Sequence, residues 1–438
     1  MEDQTSHSQE KLASAKSISK RDASAIPPLR QPGKRLLRAF TSLRHRNYRL
    51  YWFGQMISLM GTYMQSIGQG WLVLELTRSG WQLGLVSALQ YGPVLLFSLF
   101  GGVFADRWPK RRVLLVTRSI EMIQAFLLWE LTATGVVQLW HIYILALLLG
   151  LMSSLDQPAS SAFVVEMVGR EDLPNAVALN SSLTNLARVV GPGLGGIIIA
   201  AGGVAVLFLL NALSFIVVIV GLTFINGREL YAQALQGERR KTWQSLREGV
   251  DYVRQTPAIV LVILVVGLVL LFGENFNVVL PLFATDVLHR GATGFGFLSA
   301  ALGAGSFISA LWLAWSNLRP TVRRVLIGTL VYSILVAAFA LSYTYLLSLM
   351  LIVSIGVTEA IFGALAITLL QTITPDHLRG RVVSVYIFFF TGSLPLGSLL
   401  TGWLVNLCGA SVGLLICALL CLGVVGAGWM WRQVAERS

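Results

Sequence analysis

The chain has 438 residues, 55% of them hydrophobic and 12% charged, and its 33 Lys and Arg against 21 Asp and Glu give a formal net charge of +12. A soluble domain carries about 25% charged residues. A mean hydropathy of +0.71 therefore excludes the soluble enzymes and makes lipid the main solvent of this chain.

Residues 1–34 are rich in Ser, Ala and Lys, end in IPPLRQPGKR and hold no apolar core of the signal-peptide kind, so a disordered cytoplasmic tail is expected there. Apolar runs of about 20 residues follow, each long enough to cross about 30 Å of hydrocarbon as a helix. Twelve spans are expected, near 50–76, 81–105, 113–134, 138–167, 176–201, 203–225, 257–285, 293–316, 322–342, 344–371, 382–407 and 411–431. The strands of a membrane β-barrel alternate polar and apolar residues over about 10 positions, and the run from Leu207 to Ile225 shows no such alternation.

Between these spans 30 of the 33 Lys and Arg fall on one side, only Arg78 and Arg290 fall on the other, and Arg188 lies within a span. Basic loops stay cytoplasmic, so both termini are expected inside. The positive charge is then a matter of topology, not a footprint for nucleic acid. Cys408, Cys417 and Cys421 lie in or beside the last two spans, where an odd number of thiols argues for packing. His7, His45, His141, His289 and His377 have no ligand-like spacing, so no metal and no organic cofactor is expected.

The chain repeats itself. A shift of 212 residues lays RSGWQLGLVSALQYGPVLLFSLFGG, from Arg78, on RGATGFGFLSAALGAGSFISALWLA, from Arg290, and carries Arg111 and Arg112 onto Arg323 and Arg324. A shift of 206 sets GPGLGG, from Gly191, over GSLLTG, from Gly397. The expected organisation is a tail and pre-helix segment (1–48), a six-helix bundle (49–225), a basic cytoplasmic linker (226–256), a second six-helix bundle (257–432) and a short tail (433–438). Six spans return the chain to its starting side, so the repeats are parallel.

Between spans 2 and 3 stands GGVFADRWPKRR, in which Gly102, Asp106, Arg107, Lys110, Arg111 and Arg112 fit the pattern G-x-x-x-D-R-x-x-(K/R)-R-(K/R). With the six-plus-six arrangement, this resembles the major facilitator superfamily. The phrases RHRNYRLYWFGQMIS, DQPASSAFVVEMV, LPNAVALNSSLTNLARVVGPGLGG and LREGVDYVR resemble its enterobactin-exporter-like branch. The resemblance implies an all-α membrane fold and a gate in which the acid holds the N-terminal half against span 11 in the outward-facing state. In the second copy Ala314, Leu318 and Pro320 replace Gly102, Asp106 and Trp108, so only the first copy is expected to gate. Some of its bases are expected to pair with acids such as Glu166. The alternative is a loop that only sets topology, but Asp106 adds nothing to such a signal.

Ionisable groups inside spans are costly and are functional candidates by default. Asp156 in span 4 and Arg188 in span 5 share a depth and are expected to pair, either as a lock between helices or as a pair for which a proton or substrate competes. Glu274 and Glu359 lie near the middle of spans 7 and 10, and Gln55, Gln65 and Gln69 lie along span 1. The resemblance places spans 1, 4, 7 and 10 around a central cavity, which these groups would make polar and acidic. Glu121 and Glu130 in span 3 have a weaker case, Glu75 reads as solvated, and Trp71, Trp129, Trp140 and Trp403 read as an interfacial belt. RVVGPGLGG, with Gly191, Pro192, Gly195 and Gly196, suits a span that bends or packs closely, and the resemblance links that motif to exporters.

No Walker-type phosphate loop is present, so energy must come from a gradient. The expected function is a monomeric, proton-coupled exporter of a small organic molecule, a siderophore or an amphiphilic drug, in a bacterial inner membrane. A non-transporting receptor or scaffold and a membrane-embedded transferase are the alternatives.

Overall fold

The computed structural model describes residues 40–231, 242–316 and 318–435. The tail, part of the linker, and the side chains of 98–107, which include those of Gly102, Asp106 and Arg107, lie outside the described residues.

The elements of the described residues are all helices, with no strand among them. Before the linker the helices are α1 (Arg46–Thr77), α2 (Gly80–Arg107), α3 (Lys110–Ala133), α4 (Leu139–Gly202) and α5 (Val204–Thr223). After it come α6 (Thr242–Gln255), α7 (Pro257–Gly273), α8 (Phe276–Leu282), α9 (Ala292–Trp315), α10 (Val322–Ala340), α11 (Tyr345–Ile373), α12 (Asp376–Cys408) and α13 (Ala410–Ala435). Eight described helical segments are long and apolar enough to cross a membrane, and they take in the last nine of the twelve expected spans. The first three, α1 to α3, have 32, 28 and 24 residues, and at about 1.5 Å per residue each also exceeds 30 Å.

Two elements differ from the expected spans. Expected spans 4 and 5 run on as α4, 64 residues long, broken only at Gly169 with φ 71° and ψ −179°. Glycine alone takes that backbone without strain, and the ring of Tyr231 lies against it. Span 7 is interrupted. After α7 the chain leaves helical geometry at Glu274 and Asn275, re-forms α8, and passes through a π turn at Phe283–Val287. The side-chain amide of Asn275 donates to the Leu271 carbonyl at 2.8 Å, which is the acceptor its own backbone N–H would serve in an unbroken helix.

One face of the molecule gathers the start of α1, the bend of α4 and the end of α5. His45 Nε2 lies 2.8 Å from Asp172 Oδ2, the Tyr231 N–H donates to the Glu166 carbonyl at 2.8 Å, and the Asn226 N–H donates to Asn47 Oδ1 at 3.0 Å. Lys110 pairs with Glu166 at 3.7 Å, as expected, and Arg111 donates to the Leu222 and Thr223 carbonyls at 2.8 and 2.7 Å.

At the opposite face the two halves of the chain touch. There α2 packs along α12, and the second limb of α4 along α9. Small residues permit it: a Cβ on Gly296 would lie 2.6 Å from the Pro192 carbonyl, and one on Gly80 3.0 Å from the Gly402 carbonyl. Ser79 Oγ bonds Asn406 Oδ1 at 2.9 Å, and Trp71 stacks on Phe295 at 6.3 Å, so this tryptophan is a contact between halves and not only a belt residue. Trp140 and Trp403 are about half exposed, as a belt requires. Gly296→Val is expected to part α4 from α9 and to destabilise this closed face by about 1–3 kcal/mol, the usual result of overpacking. Labelling of a cysteine at Ala300 would rise if that is correct.

Candidate functional site

Two groups of charged side chains lie within the helices. The first is enclosed among α1, α3, α4 and α5. Arg118 Nη2 donates to Asp156 Oδ2 at 2.6 Å and its Nη1 to Glu121 Oε2 at 3.1 Å, while Thr117 donates to Asp156 Oδ1 at 3.0 Å. The guanidinium also lies 5.9 Å from the ring centroid of Phe215. Arg118, Glu121 and Asp156 are all buried.

The expected Asp156–Arg188 pair is therefore corrected: Asp156 pairs with Arg118. Shared depth did not make them neighbours, because the two residues sit on opposite limbs of α4, one turned to α3 and the other toward the second half. Arg118 reads in the sequence as the last base of a cytoplasmic loop, yet α3 begins at Lys110 and carries it two turns inward. The i,i+3 spacing of Arg118 and Glu121 was the available signal.

The second group lies where the two halves meet. The carboxyls of Glu274, at the break after α7, and Glu359, on α11, are within hydrogen-bonding reach of each other. Arg188 stands within electrostatic reach of both and is bonded by Tyr63 of α1. The Arg188 side chain is solvent-accessible although protein surrounds most of it. Four aromatic or amide side chains stand around the group. Tyr91 of α2 accepts from Asn277 at 3.5 Å, Tyr386 of α12 lies near Glu274, and Tyr332 of α10 lies near both glutamates.

Glu274 Oε2 and the Tyr332 hydroxyl are buried and have no hydrogen-bond partner among the described residues. Unsatisfied buried polar atoms beside a helix break call for a partner or a function, and irregular backbone within a membrane span persists only where protein buries it or it lines a cavity. Of the expected set, Arg188, Glu274 and Glu359 are thus brought together. Tyr63, Tyr91, Asn277, Tyr332 and Tyr386 were not foreseen, since a tyrosine in an apolar run reads as packing.

The glutamines divide differently. Gln65 bridges Gln124 at 3.0 Å and Asn211 at 2.7 Å, tying α1 to α3 and α5 as a structural brace. Gln69 is buried, and Gln55 Oε1 is buried without a partner among the described residues. In the GPGLGG segment a Cβ on Gly191 would lie 2.6 Å from Tyr63 Cβ and one on Gly195 3.6 Å from Ile67, while Gly196 and Pro192 meet α9. The motif therefore seats α4 between α1 and the second half, next to Arg188.

The profile of the transmembrane secretion effector family matches residues 37–435. The chain belongs to that family. Its members are transporters of the major facilitator superfamily, so this protein is a transporter and not an enzyme. It is 29% identical over 404 residues to the "Enterobactin exporter EntS" of Salmonella typhimurium, covering 90% of this chain and 96% of that one. The Escherichia coli O6:K15:H31 protein of that name is 29% identical over 341 residues, 77% of this chain and 80% of its own. In fold, the transporter resembles the nucleoside transporter NupG, with a TM-score of 0.71 at 12% identity over 88% of this chain and 99% of the other. A bacterial homolog of the human lysosomal transporter Spinster, inward-facing and occupied, gives 0.70 at 12% identity over 89% and 97%.

Proposed function

We propose that this transporter is a proton-coupled exporter of a small organic molecule, working by alternating access around Arg188, Glu274 and Glu359. The observation that carries the reading is that cluster: two facing carboxyls and one guanidinium at a broken helix between the halves. Two carboxyls so close favour sharing a proton, and a bound cation or hydrogen-bond donor competes with that proton for the same oxygens. Competition between proton and substrate for one site makes inward proton movement drive outward substrate movement.

The proposal takes twelve spans in two six-helix halves, 49–225 and 257–432, joined by the linker 226–256, as a monomer with both termini cytoplasmic in the inner membrane. In that orientation the face closed by α2–α12 and α4–α9 is external, and the conformation is inward-facing. Asp106, with Gly102, Arg107, Lys110, Arg111 and Arg112, then closes the opposite face in the alternate state. The names of the similar enterobactin exporters support a siderophore-like or amphiphilic substrate.

Inverted membrane vesicles holding the purified protein test the function. With an acidic interior, uptake of a catechol siderophore or a cationic dye is expected, and a protonophore should abolish it. Uptake indifferent to the protonophore would remove proton coupling from the reading. Reporters fused after Gly237 and Arg290 should read inside and outside respectively, and the reverse pattern would overturn the orientation.

A further inference from the structure

The two limbs of α4 together line a pocket of about 470 Å³ on the side of the Gly169 bend, a volume within the range of small-molecule sites. Ser161 of the first limb and Asn180, Ser181, Thr184 and Asn185 of the second face it, with three apolar side chains beside them. Every polar group among these eight side chains is a neutral hydroxyl or amide. Polar side chains within membrane spans turn to the bundle interior or to water.

Three of the five polar groups are committed. Asn180 Oδ1 accepts from the Tyr48 hydroxyl at 3.0 Å, the Thr184 hydroxyl donates to the Asn180 carbonyl at 3.0 Å, and the Ser161 hydroxyl donates to the Gln157 carbonyl at 3.0 Å. The side chains of Ser181 and Asn185 make no hydrogen bond among the described residues. Ser181 is exposed and Asn185 half-buried, so both have donors and acceptors free for a ligand. They stand four residues apart, which puts their Cβ atoms about 5–6 Å from each other on one face of the helix. Arg188 follows on that face, about 10 Å from Ser181 at helical rise, and keeps contact with solvent. A hydroxyl, an amide and a guanidinium thus run in line toward Glu274 and Glu359.

We infer that this pocket is a loading subsite for the exported molecule, and that it takes a neutral part of that molecule bearing hydroxyl or amide groups. The inference rests on the exporter reading, in which this face opens to the cytoplasm. Hydroxyls and amides both donate and accept, so the lining matches a ligand that does the same. An ammonium or a carboxylate finds no counter-charge among the eight side chains. Val177, exposed on the same limb, offers a surface to the apolar remainder of an amphiphile. A molecule about 10 Å long, held at one end by Ser181 and Asn185, reaches Arg188 with the other.

The test measures equilibrium binding to the full-length transporter in lipid nanodiscs, without a gradient, by energy transfer from tryptophan to two dansylamides. One carries a neutral dihydroxypropyl group and the other a trimethylammonium. The wild type should bind the neutral probe, and Asn185→Leu with Ser181→Ala should weaken that binding about tenfold, from the hydrogen bonds lost. Binding of the cationic probe, which the Glu274 and Glu359 carboxyls receive, should be unchanged in that variant and should fall in Glu274→Gln. Ser182→Ala, at an exposed hydroxyl committed to the Ala178 carbonyl, should change neither. Ser181→Ala alone, at an exposed position, should weaken the neutral probe about threefold and gives the reading if the double variant does not fold. No binding of the neutral probe by the wild type, undiminished binding in both variants, or equal loss of both probes in the double variant would each overturn the inference. The expected pattern in a protein whose uptake ignores a protonophore would support the subsite and remove only the proton coupling.

Discussion

Glu274→Gln and Glu359→Gln are each expected to uncouple transport from the proton gradient. One pH unit corresponds to 1.36 kcal/mol, so a carrier that exchanges one proton per substrate sustains about a tenfold concentration ratio per unit of gradient. Without a titrating carboxyl at the break in span 7, or at its partner on α11, that ratio should fall to equilibration. Facilitated exchange can survive, because Gln keeps the shape of the site and still hydrogen-bonds. Vesicles with imposed gradients of increasing size measure the slope directly: it should be steep in the wild type and flat in both variants. Glu274→Asp, which keeps an acid at the break, should restore part of it. A variant that still concentrates substrate in proportion to the gradient would show that the titrating group lies elsewhere, with the buried Glu121–Arg118–Asp156 set the next candidate.

Arg118→Gln is expected to cost more in stability than any other single change discussed. It leaves Glu121 and Asp156 buried together without their cation, and breaking a buried pair in this way typically costs about 3–5 kcal/mol. Thermal melting in detergent should show it as a large fall in midpoint and poor recovery from membranes. Adding Glu121→Gln and Asp156→Asn removes the stranded charges and should return much of the loss. Arg188→Gln should lower the midpoint less than Arg118→Gln, since that side chain keeps contact with solvent, while impairing transport. A double-mutant cycle separates the two arginines: Asp156→Asn should be coupled to Arg118→Gln and additive with Arg188→Gln. Coupling to Arg188 instead would restore the pairing that the structure replaces.

The membrane character of the chain was legible because it depends on composition and run length, which need no knowledge of neighbours. Pairing was not. Hydropathy places Asp156, Arg188 and Arg118 along the membrane normal but says nothing about rotation around a helix, and contact is decided by rotation. The same gap hid Gln65, which reads as a cavity amide and proves to be a brace between α1, α3 and α5. Asp106 and Arg107 remain as read from the motif, since their side chains lie outside the described residues.

Apolar run length and charge placement alone show that this protein lives in lipid, that its bases cluster between some of its apolar runs and avoid others, and that acids stand inside its helices. Each follows from a local property: the length of an apolar run, the charge between runs, or the presence of an ionisable group where water is absent. Which charges meet depends on how the helices pack. Their packing assigned Arg118 to Asp156 and Glu121, and it carried Arg188 across to Glu274 and Glu359 from residues 86 and 171 positions further along the chain. The physical reason is close packing: small residues at Gly196, Gly296, Gly80 and Gly402 let the halves approach at one face, and that approach, not any local preference, selects the partners of the buried charges.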